Sequence, residues 1–515
     1  MKARIFILTI LVLLFTVSCD EFLEEKTFNQ MTPDLLFESY DNAQLAVNGL
    51  YIAHFHERRG QQMFWPAGWS SKCQEFSNYA ASSAYDLKWS STDGQTFWHW
   101  RALFKATNAC NSAIDGIANM DASLITDEQR NVLLAESRFM RAHGLYVLLR
   151  FWGGVSLPLT PTGNPEEAAL PRSSAQAVFD QVEEDLKFAQ QYLPVNWNGG
   201  SFPDAGRATK GSATATLIQL YVLASGEQFK GNPAVEGDES INNITGSYWT
   251  QAQTECHALI DDTDPSVAKA PYLYSLIPDL AYLYSGGTNE SGDWVPVREM
   301  DDLGPEIMWS TTYDPDIHDG TWLFNHWGGR HISPYILDKF EAGEYRALIK
   351  HDSVHKAAQG YIVPRHVKRN RTGNDNENQF YFARYGGILL LAAYVENEVN
   401  SGPNAFAEAC VNAVKTRARN GDGVTTYAVP ADVASGLTYE EFKEEVMDER
   451  AVELFNEYKF YHDVIMCGRF ERDWADLSSG ADGERGPYEE RWRFLPIPQA
   501  DIISSGGLLV QNPGH

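Results

Sequence analysis

Cysteine is scarce in this chain, with six in 515 residues. Apart from Cys19, the cysteines at 73, 110, 256, 410 and 467 are odd in number and widely separated. That excludes a complete disulfide framework and offers no metal-ligand spacing, so they read as small buried apolar side chains. Basic residues are also short, 41 Lys and Arg against 69 Asp and Glu, for a formal charge of -28. Without a basic patch the chain has no means of neutralising phosphates, which argues against nucleic acid and against adhesion to an anionic lipid surface. There is no Gly-rich phosphate loop, no Gly-x-Ser-x-Gly elbow and no His-Glu-x-x-His pair. His351 and His355 are four apart but lack the glutamate of that metal motif. Asp314, Asp316 and Asp319 fail the calcium-loop pattern because His318 stands at a ligand position. They are read as turn chemistry around Pro315 and Gly320, and Asn374 to Asn378 as a solvated turn. No cofactor is called for, and structural calcium is allowed but not indicated.

The longest apolar run, 5–17, is too short for the roughly 20 residues of a membrane-spanning helix. With Lys2 and Arg4 before it and Ser18-Cys19 after it, it has the three parts of a secretory signal, residues 1–18. Losing Lys2 and Arg4 with this leader takes the charge from -28 to about -30. A small residue before cysteine resembles the bacterial lipobox, although Thr16 stands where leucine is usual. Cys19 is therefore the expected lipidation site, and several acyl chains at about 0.8 kcal/mol per buried CH₂ anchor a protein firmly.

Helical signals dominate the rest. Thr32-Pro33-Asp34 reads as a cap opening one helix through Leu50. A second helix is expected over 95–117. A third opens with a capping box, Thr126 to Gln129, and carries Leu133, Phe139, Ala142, Leu145, Tyr146 and Leu149 on one broad face. Further helices are predicted over 173–193, 208–229, 247–262, 384–399, 403–419 and 438–464. The expected fold is dominated by α-helices, a tetratricopeptide-like scaffold of helix pairs, with long aromatic-rich loops at about 60–95 and 263–380. No low-complexity linker divides it, so residues 19–515 read as one domain.

Three segments add a resemblance. Glu136-Ser137-Arg138-Phe139-Met140-Arg141-Ala142, running on to Trp152-Gly153-Gly154-Val155, resembles the signature helix of the SusD/RagB family of Bacteroidetes outer-membrane nutrient-binding lipoproteins. Glu449-Arg450-Ala451-Val452-Glu453-Leu454-Phe455-Asn456-Glu457 with Asp463 is similar to that family's late helix. Phe494-Leu495-Pro496-Ile497-Pro498 and Gln511-Asn512-Pro513-Gly514 match its closing segment, and Trp100, Leu103, Phe104, Cys110 and Asn111 its early helix. Phe460 departs from the pattern where arginine is usual. Glu449, Glu453 and Glu457 lie on one face at four-residue steps and need a cationic answer. Arg138 and Arg141 are the expected partners, as inter-helix forks.

The resemblance implies a surface-exposed glycan-binding protein, anchored through acylated Cys19, with a SusC-like TonB-dependent transporter as partner and no catalytic residue. A sugar site needs flat aromatic rings with polar groups beside them. The expected ligand-binding residues are Trp69, Asn78, Tyr79 and Trp89 in the first loop, and Trp294, Trp322, Trp327 and Arg330 in the second. Trp98, Trp100 and Trp152 read as structural. A secreted glycoside hydrolase, a scaffold that binds only protein and a peptide-binding member of the same family are the alternatives. New reducing ends on incubation with glycans would mark the hydrolase. Acidic Asp20, Glu21, Glu24 and Glu25 after the anchor resemble a surface-export signal. Cys19→Ala is expected to release soluble protein that still binds ligand, read by membrane fractionation; protein that stays with the membranes contradicts the anchor.

Overall fold

The computed structural model describes residues 33–55, 90–278, 305–310, 336–350, 381–477 and 488–515, each with short interruptions, and strand segments at 74–76, 287–288, 294–295 and 330–332. Cys19 and the whole leader lie outside the described residues. Helices dominate, and no helix among the described residues is long and apolar enough to cross a membrane.

The chain begins with α1 (Pro33–Leu36) and α2 (Tyr40–Phe55) where one helix was expected. The break has a packing cause. Phe37 leaves the helical path to lie on Gly116, so closely that a Cβ there would stand 2.2 Å from its ring. Ser39 then restarts the helix by accepting the Asn42 N–H on its hydroxyl at 3.2 Å. Next come α3 (Gly94–Asn119) and α4 (Asp127–Trp152), the latter with its expected capping box and with Asp127 and Glu128 at the positive end of its dipole. From Leu133 onward α4 is buried almost all round, the mark of a central helix.

Helices pack on α4 in chain order. Both α3 and α5 (Ala175–Tyr192) lie against it, α6 (Lys210–Ser225) against α5, and α7 (Trp249–Leu259) against α6. The series continues through α9 (Tyr385–Asn400) to α10 (Ala405–Arg419) and α11 (Tyr439–Glu453), with α8 (Tyr345–Lys350) touching α10. Short α12 (Phe460–Met466), α13 (Phe470–Leu477) and α14 (Gln499–Ser504) close the chain. Cys110, Cys256, Cys410 and Cys467 are buried free thiols, as expected; Cys73 is outside the described residues.

The signature glycines end α4. Gly153 has φ 77°, and its Cβ would stand 2.2 Å from the Asn242 amide oxygen; Gly154 would meet the Ile241 carbonyl at 2.3 Å. Around this end sits Arg172, buried and without an ion pair among the described residues. It donates to the carbonyls of Trp152, Gly154 and Val510 and to the side-chain oxygens of Asn242 and Asn512. The cation thus answers the negative end of α4 and ties it to the closing segment. Burial pulls its pKa down to about 9. Asn512 also donates to the Trp152 and Leu495 carbonyls at 3.1 and 2.7 Å.

Three of the buried histidines make the core sensitive to acid. Burial lowers His54 to about 4, and pushes His143 and His462 well below the ordinary 6.5. Between those values the unfolded chain binds protons that the folded chain refuses, so stability rises with pH and falls on acidification. The fall from 6.5 to about 4 makes His54 alone worth about 3 kcal/mol across that window, at 1.36 kcal/mol per pKa unit. Urea midpoints are expected to fall as pH drops from 6.5 towards 4, less steeply in His54→Gln. An equal slope in that variant contradicts the assignment.

Candidate functional site

Two strands, one inside the second long loop and one at its end, meet in the body. Strand β4 (Ile307–Ser310) pairs antiparallel with β6 (Tyr381–Arg384), and Ser310 faces Tyr381 across the rung. The pair forms a stem that brackets residues 311–380, of which Ile336, Glu344 and Arg346 are buried in the body. Both strands are buried at every position. Trp309 is part of the core, 4.9 Å from the Phe139 ring of α4 and 5.8 Å from His143. From below, Gln219 and Lys459 both donate to the Phe382 carbonyl, at 3.1 and 2.9 Å.

Beneath the stem lies a cluster of buried ions. Arg384 donates to Glu306 and Glu453 at 2.7 Å each, to Glu457 at 2.8 Å and to the Glu453 carbonyl at 2.6 Å. Arg417 of α10 donates to Glu306 at 2.8 Å and also bonds Glu453. Arg346 of α8 meets Glu344, Glu449 and, at 3.0 Å, Glu453. Burial alone would lower the Arg346 guanidinium, but Glu449, Glu344 and Glu453 hold it well above its ordinary value. Glu306 also accepts the Ile277 N–H at 2.9 Å, and its carbonyl takes the Tyr385 N–H at 2.8 Å.

This corrects the expected partners of Glu449, Glu453 and Glu457. Arg138 and Arg141 face α5 instead. Arg141 makes a two-pronged pair with Asp185 at 2.7 and 2.8 Å, and Arg138 lies 3.3 Å from Glu184. The reason is adjacency: α4 packs on α5, while α11 packs on α9 and α10. The same cluster breaks the helix predicted over 438–464. A continuing helix would give the Glu453 carbonyl to the Glu457 N–H; Arg384 takes it, and Glu457 donates to Leu454 at 2.9 Å.

Strand β1 (Gln74–Phe76), in the first aromatic loop, pairs antiparallel with β5 (Arg330–Ile332) in the second, Phe76 opposite Arg330. Two loops far apart in sequence are thereby joined. Of the expected site residues, Arg330 stands on this rung, and Trp294 on β3 (Trp294–Val295), opposite Thr288 of β2 (Gly287–Thr288). Trp69, Asn78, Tyr79, Trp89, Trp322 and Trp327 lie outside the described residues, as do Asp314, Asp316, Asp319, His351, His355 and the 374–378 turn. Trp100 and Trp152 are core residues as read, at 3% and 1% exposure. Trp98 is not: 59% of it is exposed, because it faces outward on α3 where Trp100 faces in. Its place two residues from a buried tryptophan on one helix was the available signal.

A family model described as "SusD family" matches residues 349–515, and one described as "Starch-binding associating with outer membrane" matches 21–222. SusD-like protein P2 of Formosa agariphila is 22% identical over 553 residues, covering 99% of each chain. Among solved structures, a SusD homolog from Bacteroides thetaiotaomicron superposes with TM-score 0.72 at 20% identity, covering 94% of this chain and 98% of that one. A laminarin-binding SusD-like protein superposes with TM-score 0.66 at 17% identity, covering 93% and 100%. These likenesses show the fold.

Arg384→Met removes the donors shared by three buried carboxylates. It is expected to destabilise the protein by about 3–5 kcal/mol and to speed amide exchange at Ile277 and Tyr385. An unchanged unfolding midpoint contradicts the role given to the cluster.

Proposed function

Because the chain belongs to the SusD/RagB family, we propose that it is a surface-exposed, lipid-anchored protein that captures oligosaccharide and delivers it to a SusC-like TonB-dependent outer-membrane transporter. The observation that carries this reading is the β1–β5 rung. It fastens together the two aromatic-rich loops on which a sugar platform was expected. Asn78 and Tyr79 follow Phe76 by two and three residues, and Trp327 precedes Arg330 by three. Flat rings and amide or guanidinium groups so tethered suit the apolar faces and hydroxyl edges of a sugar.

The description of one matching family model, with its outer membrane, and the laminarin-binding neighbour support both the location and the ligand class. Cys19, following a leader over residues 1–18, supplies the anchor, and residues 19–515 act as one body beside the transporter.

We assign the chain no catalytic step. Hydrolysis needs a carboxylate pair facing a substrate. The grouped carboxylates Glu306, Glu449, Glu453 and Glu457 are buried and bonded by arginines, which fits them to hold the stem.

Replacing Trp294, Trp322 and Trp327 together by alanine is expected to abolish glycan binding in calorimetry while leaving the circular-dichroism spectrum and melting temperature unchanged. Full binding in that variant would remove the second loop from the site.

A further inference from the structure

A cavity of about 420 Å³ lies between α3, the 156–170 segment and the C-terminal residues 501–509. It falls within the usual size of ligand pockets, about 300–1,000 Å³. Trp100 and Phe104, their rings 4.8 Å apart and tilted, form one wall with Leu170 and Leu509. The opposite chemistry stands at its edge. Arg101 donates through Nε and Nη2 to one oxygen of Asp501, at 3.3 and 3.0 Å. The other Asp501 oxygen is buried and accepts no hydrogen bond, an unsatisfied acceptor beside the cavity.

The edge continues outward over aromatic rings. The Arg101 guanidinium sits 4.0 Å from the centre of the Phe97 ring, and Phe97 meets Trp98 edge-on at 5.6 Å. Trp98 leaves most of a large flat ring in water, against the drive to bury such area. Leu159, Ile503 and Leu508, on the other elements that build the cavity, are among the most exposed large apolar residues described. Asn108 does not face a ligand: both ends of its amide are taken by Thr162, so it fixes the wall. The helix α14 that carries Asp501 is held by the Gln499 N–H on the Ser91 carbonyl at 2.8 Å, where the first aromatic loop rejoins the body.

We propose that this cavity is a second saccharide site, separate from the loop platform, which takes a neutral sugar unit. One apolar sugar face lies on the Trp100–Phe104 wall, and adjacent hydroxyls accept from Arg101 and donate to Asp501, while Trp98, outside the lining, extends the apolar rim through Phe97 and Arg101 for a longer saccharide. The neutral class follows from the charge. Asp501 already balances Arg101, so a carboxylated or sulfated sugar would bring an uncompensated negative group against a carboxylate. The inference rests on the reading of this chain as a glycan-binding protein.

The test uses the full mature chain and a panel of neutral oligosaccharides from α-glucan, β-glucan, xylan, mannan and galactan, with binding followed by calorimetry. Trp98→Ala is expected to weaken the oligosaccharide that binds the wild type about fivefold, with Trp98→Tyr close to wild type. Ala169→Trp, which fills the cavity, is expected to weaken it about tenfold. Trp98→Ala alters only an exposed ring, so an unchanged melting temperature distinguishes lost binding from lost folding. Wild-type affinity in both Trp98→Ala and Ala169→Trp overturns the second site and leaves the proposed function standing. A wild type that binds none of the panel overturns both.

Discussion

The pairing of Arg384 with Glu306, Glu453 and Glu457 is the constraint on which the upper part of this molecule depends. Those four residues come from a strand, the residue preceding its partner strand, the end of α11 and the turn after it. Their side chains are almost wholly removed from water. Desolvating such groups is expensive, and their attraction repays it only when every donor finds an acceptor. The geometry that meets this demand also fixes where β4 and β6 meet, where α11 stops, and how α8 and α10 lie beside them. Arg417 and Arg346 extend the same arrangement to Glu449 and Glu344. The stem thus brackets residues 311–380, and from within that span Ile336, Glu344 and Arg346 come back to the buried interior.

Much of the helical body was legible in sequence because its signals are local. The Thr126–Gln129 capping box marks the start of α4, and its apolar spacing marks the buried length. The resemblance carried by residues 136–155 and 449–463 extended that reading to the family. What could not be read was which helices become neighbours. Arg138 and Arg141 sit on a helix that packs on α5, and their sequence gives no sign of it; Arg384 and Glu453 are 69 residues apart and meet only once the stem forms. The broken helix after Glu453 has the same origin, since propensity favours continuation and a tertiary bond takes the carbonyl it needs.

The candidate site was legible in part. Aromatic, aperiodic composition located the two loop regions, and the β1–β5 rung shows that they are joined. Trp98 was misread although its place two residues from Trp100, towards the opposite helix face, was the signal, because exposure depends on which face the helix turns outward. Both cases follow from one division of labour. Under the proposed function, a rigid body of packed helices supplies position, and its irregular segments supply the chemistry of recognition.

Hydrogen–deuterium exchange of the mature protein with and without a bound neutral oligosaccharide tests this division most directly. The account predicts that ligand slows exchange chiefly within 60–95 and 263–380, with α4, α5, α6 and α7 unchanged. Protection centred on those four helices, with none in either loop region, would contradict it.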